Sequence, residues 1–303
     1  GGVSIAQMLA EELKSHDIEI KRRSRYAVKG TFGDVTDSRS KLLAARINGQ
    51  VIDDQGSVKL DFSRGVFGEV ALTSLFGVTV SLDPKSNVPE RNKAIEKALD
   101  DTSTNIRGGS QVFDVKGEYG IEILVKQGGS FVPRPAVNEE GLAFVEVKRG
   151  ETYVVRLINN TDNEAGVILN IDGISMFSFS EITEYTHMVL DARPGPAEPM
   201  TGLVQGWHVN NTDSLEFVVG AVEQGAFKDV IPGNTANVGM ITAIFCAAFP
   251  EDAPPEDEPF NPDARSRSAS DATIKGPKVN AKYDEVRRNF GVVRATVTIR
   301  YAR

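Results

Sequence analysis

Residues 141–179, reading GLAFVEVKRGETYVVRLINNTDNEAGVILNIDGISMFSF, constrain the fold more than any other stretch of this chain. Val145, Val147, Tyr153, Val155, Leu157, Val167, Leu169 and Ile171 recur at alternate positions, the period that turns one face of a strand into a core. Polar turns interrupt the pattern at Lys148-Arg149-Gly150 and at residues 159–166, where the residue types tolerate tight backbone geometry. Three consecutive strands joined in this way predict a hairpin ladder belonging to a β-sandwich. No catalytic residue set is embedded in it, and sandwiches bind or assemble more often than they catalyse.

The ladder sits in a chain of 303 residues, a length that suits two domains. Ahead of it, Ser4-x-x-Gln7 forms a potential capping box, and Ile5, Met8, Leu9 and Leu13 share one face of a helix. Strands are expected at 18–20, 26–32, 42–52 and 58–62, with Asn48-Gly49 and residues 53–56 as turns or bulges. A second helix is expected over 88–99. Asn87 caps it, Pro89 enters its first turn, and Ala94, Ile95, Ala98 and Leu99 form its buried stripe. Residues 69–76 fit either a helix or a strand. Residues 1–132 therefore read as an α+β domain, two helices on an antiparallel sheet.

Pro133-Arg134-Pro135 stiffens the crossing into residues 133–249. There further strand patterns at 186–190, 203–209, 215–221 and 238–249 complete a sandwich of about seven strands. Composition then shifts. Residues 250–270, PEDAPPEDEPFNPDARSRSAS, form an acidic, proline-rich strap that cannot bury enough apolar surface to fold alone. The remaining arm, 271–303, ends in a β-branched strand in which Val292, Val293, Ala295, Val297, Ile299 and Tyr301 are candidates for assembly contacts. Such a strand returns to its own sheet or adds to the exposed edge of another molecule. The fold class read from the whole is mainly β with α+β: an N-terminal α+β domain, a β-sandwich and an extended C-terminal arm.

Charge excludes one function class. Acidic residues outnumber basic ones by 42 to 34, a net charge of −8, so the chain is no general binder of phosphate backbones or nucleic acid. The densest basic run, residues 21–25, reads as a charged strand edge. A single cysteine, Cys246, lies in an apolar run and reads as a buried core residue. No stretch of 18 apolar residues exists to cross a bilayer as a helix. The chain opens Gly1-Gly2-Val3 rather than with methionine, which suits either a processed precursor or a portion of a longer protein.

Chemistry is sparse. His16, His187 and His208 have no metal-ligand spacing, and the nucleophile-elbow, zincin, phosphate-loop and dinucleotide motifs are absent. No cofactor, metal ligand or catalytic residue is therefore assigned. Carboxylate pairs at 53–54, 100–101, 139–140, 251–252 and 256–258 leave a hydrolase with interdomain carboxylates as a third reading. Asn159-x-Thr161 and Asn210-x-Thr212 match the glycosylation acceptor pattern. Trp207 is either a core anchor or a ligand platform. With His208 and Tyr185 it marks the sandwich loops as a candidate site for a carbohydrate or a peptide.

Two resemblances add a setting. Residues 5–13, IAQMLAEEL, leading into RRSRYAVKGTFGDV, resemble the helix–strand start of bacterial envelope lipoproteins of the curli-secretion-channel type over about the first 60 residues. The stretches VKRGETYVVRLINNT, IDGISMF, VQGWHV and VGMITAIF are similar to an uncharacterised bacterial domain with an immunoglobulin-like sandwich. These resemblances imply an envelope or extracellular location and name no activity. The resulting expectation is a non-enzymatic structural protein that forms homo-oligomers or docks on an envelope partner through edge strands and its C-terminal arm. The alternative is a binding module centred on Trp207.

Overall fold

The computed structural model describes residues 19, 21, 24–36, 43–67, 69–230, 237–250, 253–258 and 275–301. The helix expected at 4–13, most of the strand at 18–20 and the strap beyond residue 258 lie outside the described residues. The protein is mainly β, with three sheets and few helices.

The first sheet is an antiparallel meander of β1 (Tyr26–Thr36), β2 (Leu43–Asp53) and β3 (Val58–Phe67). Asp53 Oδ1 organises the β2–β3 turn by accepting the Gln55 and Ser57 amides at 3.0 and 2.8 Å, and Gly56 supplies the left-handed backbone with φ of 82°. Asn48-Gly49 is not a turn. It lies inside β2, where the Phe62 ring of β3 occupies the space a Cβ on Gly49 would need. Two helices follow, α1 (Glu69–Phe76) and α2 (Val88–Asp100), and α1 decides the ambiguity at 69–76. Asn87 caps α2 as expected, and Glu90 completes a capping box: Asn87 Oδ1 accepts the Glu90 amide at 3.1 Å, and Glu90 Oε2 accepts the Asn87 amide at 3.0 Å. Ile95 of its apolar stripe is fully buried with Leu72, Val80 and Leu82.

The remaining strands build a β-sandwich. One sheet runs β13 (Ile174–Ser175), β12 (Ala165–Ile171), β18 (Met240–Phe249), β20 (Asn289–Arg300), β10 (Leu142–Val145), β9 (Ala136–Glu139), with β14 (Met188–Leu190) on β12 and β4 (Val80–Ser81) on β20. The other runs β16 (Gly206–His208), β17 (Asp213–Val218), β11 (Thr152–Asn159), β7 (Tyr119–Gln127), β6 (Gln111–Phe113), β5 (Asn105–Arg107). To it β15 (Met200–Val204) adds on β11, β19 (Lys275–Asn280) on β17 and β8 (Ser130–Pro133) on β7. Alternate residues of both sheets meet in one core, joined by the Tyr119–Phe245 stack at 4.9 Å and the Tyr153–Tyr301 contact at 5.7 Å.

Three expectations change. The ladder of 141–179 does form strands, but they are not hydrogen-bonded neighbours: β10 and β12 belong to one sheet and β11 to the other. Alternating burial reports which face points inward, not which strand lies beside it. Strands β5 to β7, assigned by sequence to the N-terminal domain, are paired within the sandwich, so the boundary at 132 does not separate two sheets. The third change concerns the C-terminal strand.

β20 is not a free arm. β18 pairs with it along one edge. Its other edge is covered by β4 at Ala295 and Thr296, and by β10 at Ile299 and Arg300. Between and beyond these, the Leu82 amide donates to Arg294 O (2.7 Å), Arg91 Nη2 donates to Val293 O (2.6 Å), and Glu258 Oε1 accepts the Val292 amide (2.6 Å). Ala295, Val297, Ile299 and Tyr301 are buried in the core, and Val293 packs against the helices. The assembly role expected of Val292, Val293, Ala295, Val297, Ile299 and Tyr301 is therefore corrected: strand addition needs free backbone groups, and the chain's own segments already take them.

Candidate functional site

The polar chemistry collects outside the core, around β16. Trp207 and His208 are adjacent on that strand, so their side chains leave on opposite faces. Trp207 points inward, 0% exposed, edge-on to Phe179 and Phe217. It is a core anchor, and its expected role as a ligand platform is corrected. His208 points the other way, into a cluster of rings: Phe177, Tyr185 and Tyr283 have centroids 5.2, 5.4 and 5.1 Å from the imidazole.

Three segments hold these rings together. The β16–β17 turn is an Asx turn in which Asn210 Oδ1 accepts the Thr212 and Asp213 amides, each at 3.0 Å. That turn presents Asn211 and docks the chain entering β20, because Ala281 and Tyr283 donate their amides to Thr212 O and Asn211 O. The loop after β13 carries Phe177, Ser180 and Tyr185. Together they enclose a cavity of about 650 Å³, lined also by His187 and Phe290, whose rings stack at 3.9 Å.

The protonation state of His208 follows from its partners. Ser180 Oγ donates to Ile182 O at 2.9 Å, which uses its only proton, so it accepts from His208 Nδ1 at 3.0 Å. Burial lowers the pKa of His208, opposed in part by Asn211. The neutral ring thus carries its proton on Nδ1, and Nε2 is an acceptor. His208 Nε2 and Asn211 Oδ1 are both buried without a partner, while Asn211 Nδ2 donates to the Tyr185 hydroxyl at 3.3 Å. A half-turn of the Asn211 carboxamide would aim Nδ2 at His208 Nε2 and Oδ1 at the Tyr185 hydroxyl, and so satisfy both. Ser180, His208, Asn211 and Tyr185 thus line up along one polar row. The row lacks what a nucleophilic triad requires, because the serine proton is committed to a carbonyl and His208 donates to that oxygen instead of taking its proton.

The cavity instead offers surfaces. Tyr185 and Tyr283 line it beside His208, and the exposed Glu184, Asp191, Asp284 and Glu285 line it with Lys282 and Arg287. Aromatic faces beside carboxylates and an amide suit the apolar faces and hydroxyls of a sugar, or an extended peptide.

The other sequence candidates fall elsewhere. His16 lies outside the described residues, and burial pushes His187 down to about 4. Among the described residues no group of three or more histidine, cysteine or acidic side chains could hold a metal ion. The Cys246 thiol is buried and pushed up to about 12, as an inert core cysteine requires. Asn159 is buried, and its Nδ2 is committed to Asn163 O and Asp191 O at 2.9 Å each. Carboxylates do gather in a groove of about 750 Å³ lined by Asp83, Glu118, Asp162, Glu198 and Asp257. There the hydrogen bonds of Arg193 and Arg294 hold Asp162 and Asp257 below the usual carboxylate range. A general acid needs the opposite shift.

Sequence reasoning named Tyr185 and His208, which the fold brings together, but missed Phe177, Asn211 and Tyr283. Tyr283 comes from a segment more than 70 residues beyond His208, and no local pattern marks it. No family model, no curated protein and no solved structure matches this chain.

Proposed function

We propose that this chain is a non-enzymatic binding protein of the bacterial envelope or cell surface, holding a carbohydrate or a short peptide in the cavity at Tyr185 and His208. The observation that carries this reading is the ring cluster around His208, in which Asn211 Nδ2 donates to the hydroxyl of Tyr185 on the wall of a cavity sized for a small ligand. The setting rests on the resemblance of the first 60 residues to envelope lipoproteins. Glycan and peptide arrays probed with the wild type, Tyr185→Ala and Asn211→Ala test it. Retained circular dichroism with loss of the array signal in both variants supports the cavity; a wild type that retains nothing on either array sinks it.

Assembly through edge strands stands as a second reading. Its support is the outer edge of β1, 11 residues long and without a strand partner among the described residues, together with the shorter edge at β9. Homo-oligomers or docking on an envelope partner would use those edges rather than β20. Light scattering that finds a monomer at every concentration removes the homo-oligomer form of this reading.

A further inference from the structure

We propose that the cavity beneath the Lys148-Arg149-Gly150 turn is a second ligand site, which takes an anionic amphiphile: an apolar chain or ring ending in a carboxylate or phosphate. This cavity, about 730 Å³, lies away from the His208 cluster and shares no lining residue with it.

Its floor is apolar. Phe144, Val147 and Tyr301 are buried there, and Val137 and Val222 at its mouth remain 47% and 43% exposed. Its rim is cationic. Arg134, Lys148 and Arg149 face a single lining carboxylate, Glu146, in a chain whose net charge is −8. Counting Glu151, which pairs with Arg134, three cations stand against two acids, a local positive excess in an acidic chain, placed where apolar surface meets water.

The cations are held in position. Gly150 takes a φ of 87°, and its amide donates to Val219 O at 2.7 Å, which ties the turn to the strand wall. Glu151 Oε2 accepts the Lys148 amide at 2.8 Å, and the same carboxylate pairs with Arg134. Glu151 is therefore spent on building the turn and leaves Lys148 and Arg149 without an ion pair among the described residues. Arg134 Nε is buried with no hydrogen-bond partner, a donor awaiting an acceptor at the cavity wall.

These features select the ligand class together. A bare inorganic anion would leave the valine and phenylalanine surface wet. A neutral hydrocarbon would leave Lys148 and Arg149 beside it with no anionic partner. A molecule with one anionic head and an apolar body satisfies both halves.

The test uses the full chain and three ten-carbon probes below their micelle concentrations: decanoate, decanol and decyltrimethylammonium. Calorimetry should show decanoate binding about tenfold or more tightly than decanol, with no binding of the cation. The exposed double substitution Lys148→Gln/Arg149→Gln should remove about that tenfold preference while decanol binding is unchanged. Co-sedimentation with phosphatidylglycerol but not phosphatidylcholine vesicles would identify the source as a membrane lipid, and decanoate binding without vesicle binding a free amphiphile. Equal affinity for the three probes, a preference that survives the double substitution, or binding of polyglutamate in place of decanoate overturns the assignment.

Discussion

Arg294 holds the described end of the strap, residues 253–258, against β20. Its guanidinium is nearly buried and bonds both Asp257 oxygens at 2.7 Å and Glu258 at 3.2 Å, while Glu258 caps the Val292 amide. Gly291 leaves room for that carboxyl, since a Cβ there would displace the Glu258 carboxylate from the Val292 amide. Arg294→Ala leaves the Asp257 and Glu258 carboxylates without their shared cation and should cost about 3 kcal/mol, read by urea denaturation. Trp207→Ala empties a fully enclosed site and should also cost about 3–5 kcal/mol rather than erase one ligand selectively. His187 gives a pH signature. Unfolded, it protonates near 6.5; folded, burial pushes it down to about 4. Between those values the unfolded chain binds more protons, so stability is full above 6.5 and falls as the pH drops toward 4, by on the order of 3 kcal/mol. Urea midpoints at pH 7 and 4.5 should diverge less in His187→Phe than in the wild type; equal divergence would refute the assignment.

At the scale of elements, legibility tracks how local the cause is. The start of α2 was readable because a cap and a first-turn proline lie within three residues, and the structure adds Glu90 as the returning half of a capping box. Asn87→Ala should therefore cost about 1 kcal/mol, again measured by urea denaturation. Residues 69–76 were not readable. An eight-residue apolar segment fits either period until something decides its neighbours, and here α1 lies on the outer face of the β12–β18–β20 sheet, where Asn170 Nδ2 reaches Ser74 Oγ at 3.4 Å. At the other end of the same outer face the Phe290 ring occupies the space a Cβ on Gly166 would need, and all of β12 is buried rather than every second residue. The Asn48-Gly49 pair misled because the residue types of a turn also suit a strand position lying under an aromatic ring.

For the whole molecule, the decisive element is β20. It joins β18 to β4 and β10, and so links the sandwich to the segment that carries the helices. Tyr301 secures its end, its hydroxyl donating to the buried Asp172 carboxylate at 2.7 Å and its amide to Gly239 O at 2.8 Å. Deleting residues 291–303 should abolish the cooperative thermal transition instead of releasing soluble domains. A truncated chain that still melts cooperatively near the wild-type temperature would contradict this. By itself the sequence determined the mainly β class, the inward residues of the ladder, the cap of α2 and the two chemically versatile side chains Tyr185 and His208. Those follow from periods and spacings of a few residues, which local sterics enforce. Only the tertiary structure decided that consecutive ladder strands lie in opposite sheets, that the last strand is central, and that Trp207 and His208 part company. Strand partners are chosen by backbone hydrogen bonds between distant segments, and a periodic pattern carries no record of which edge will be free to receive them.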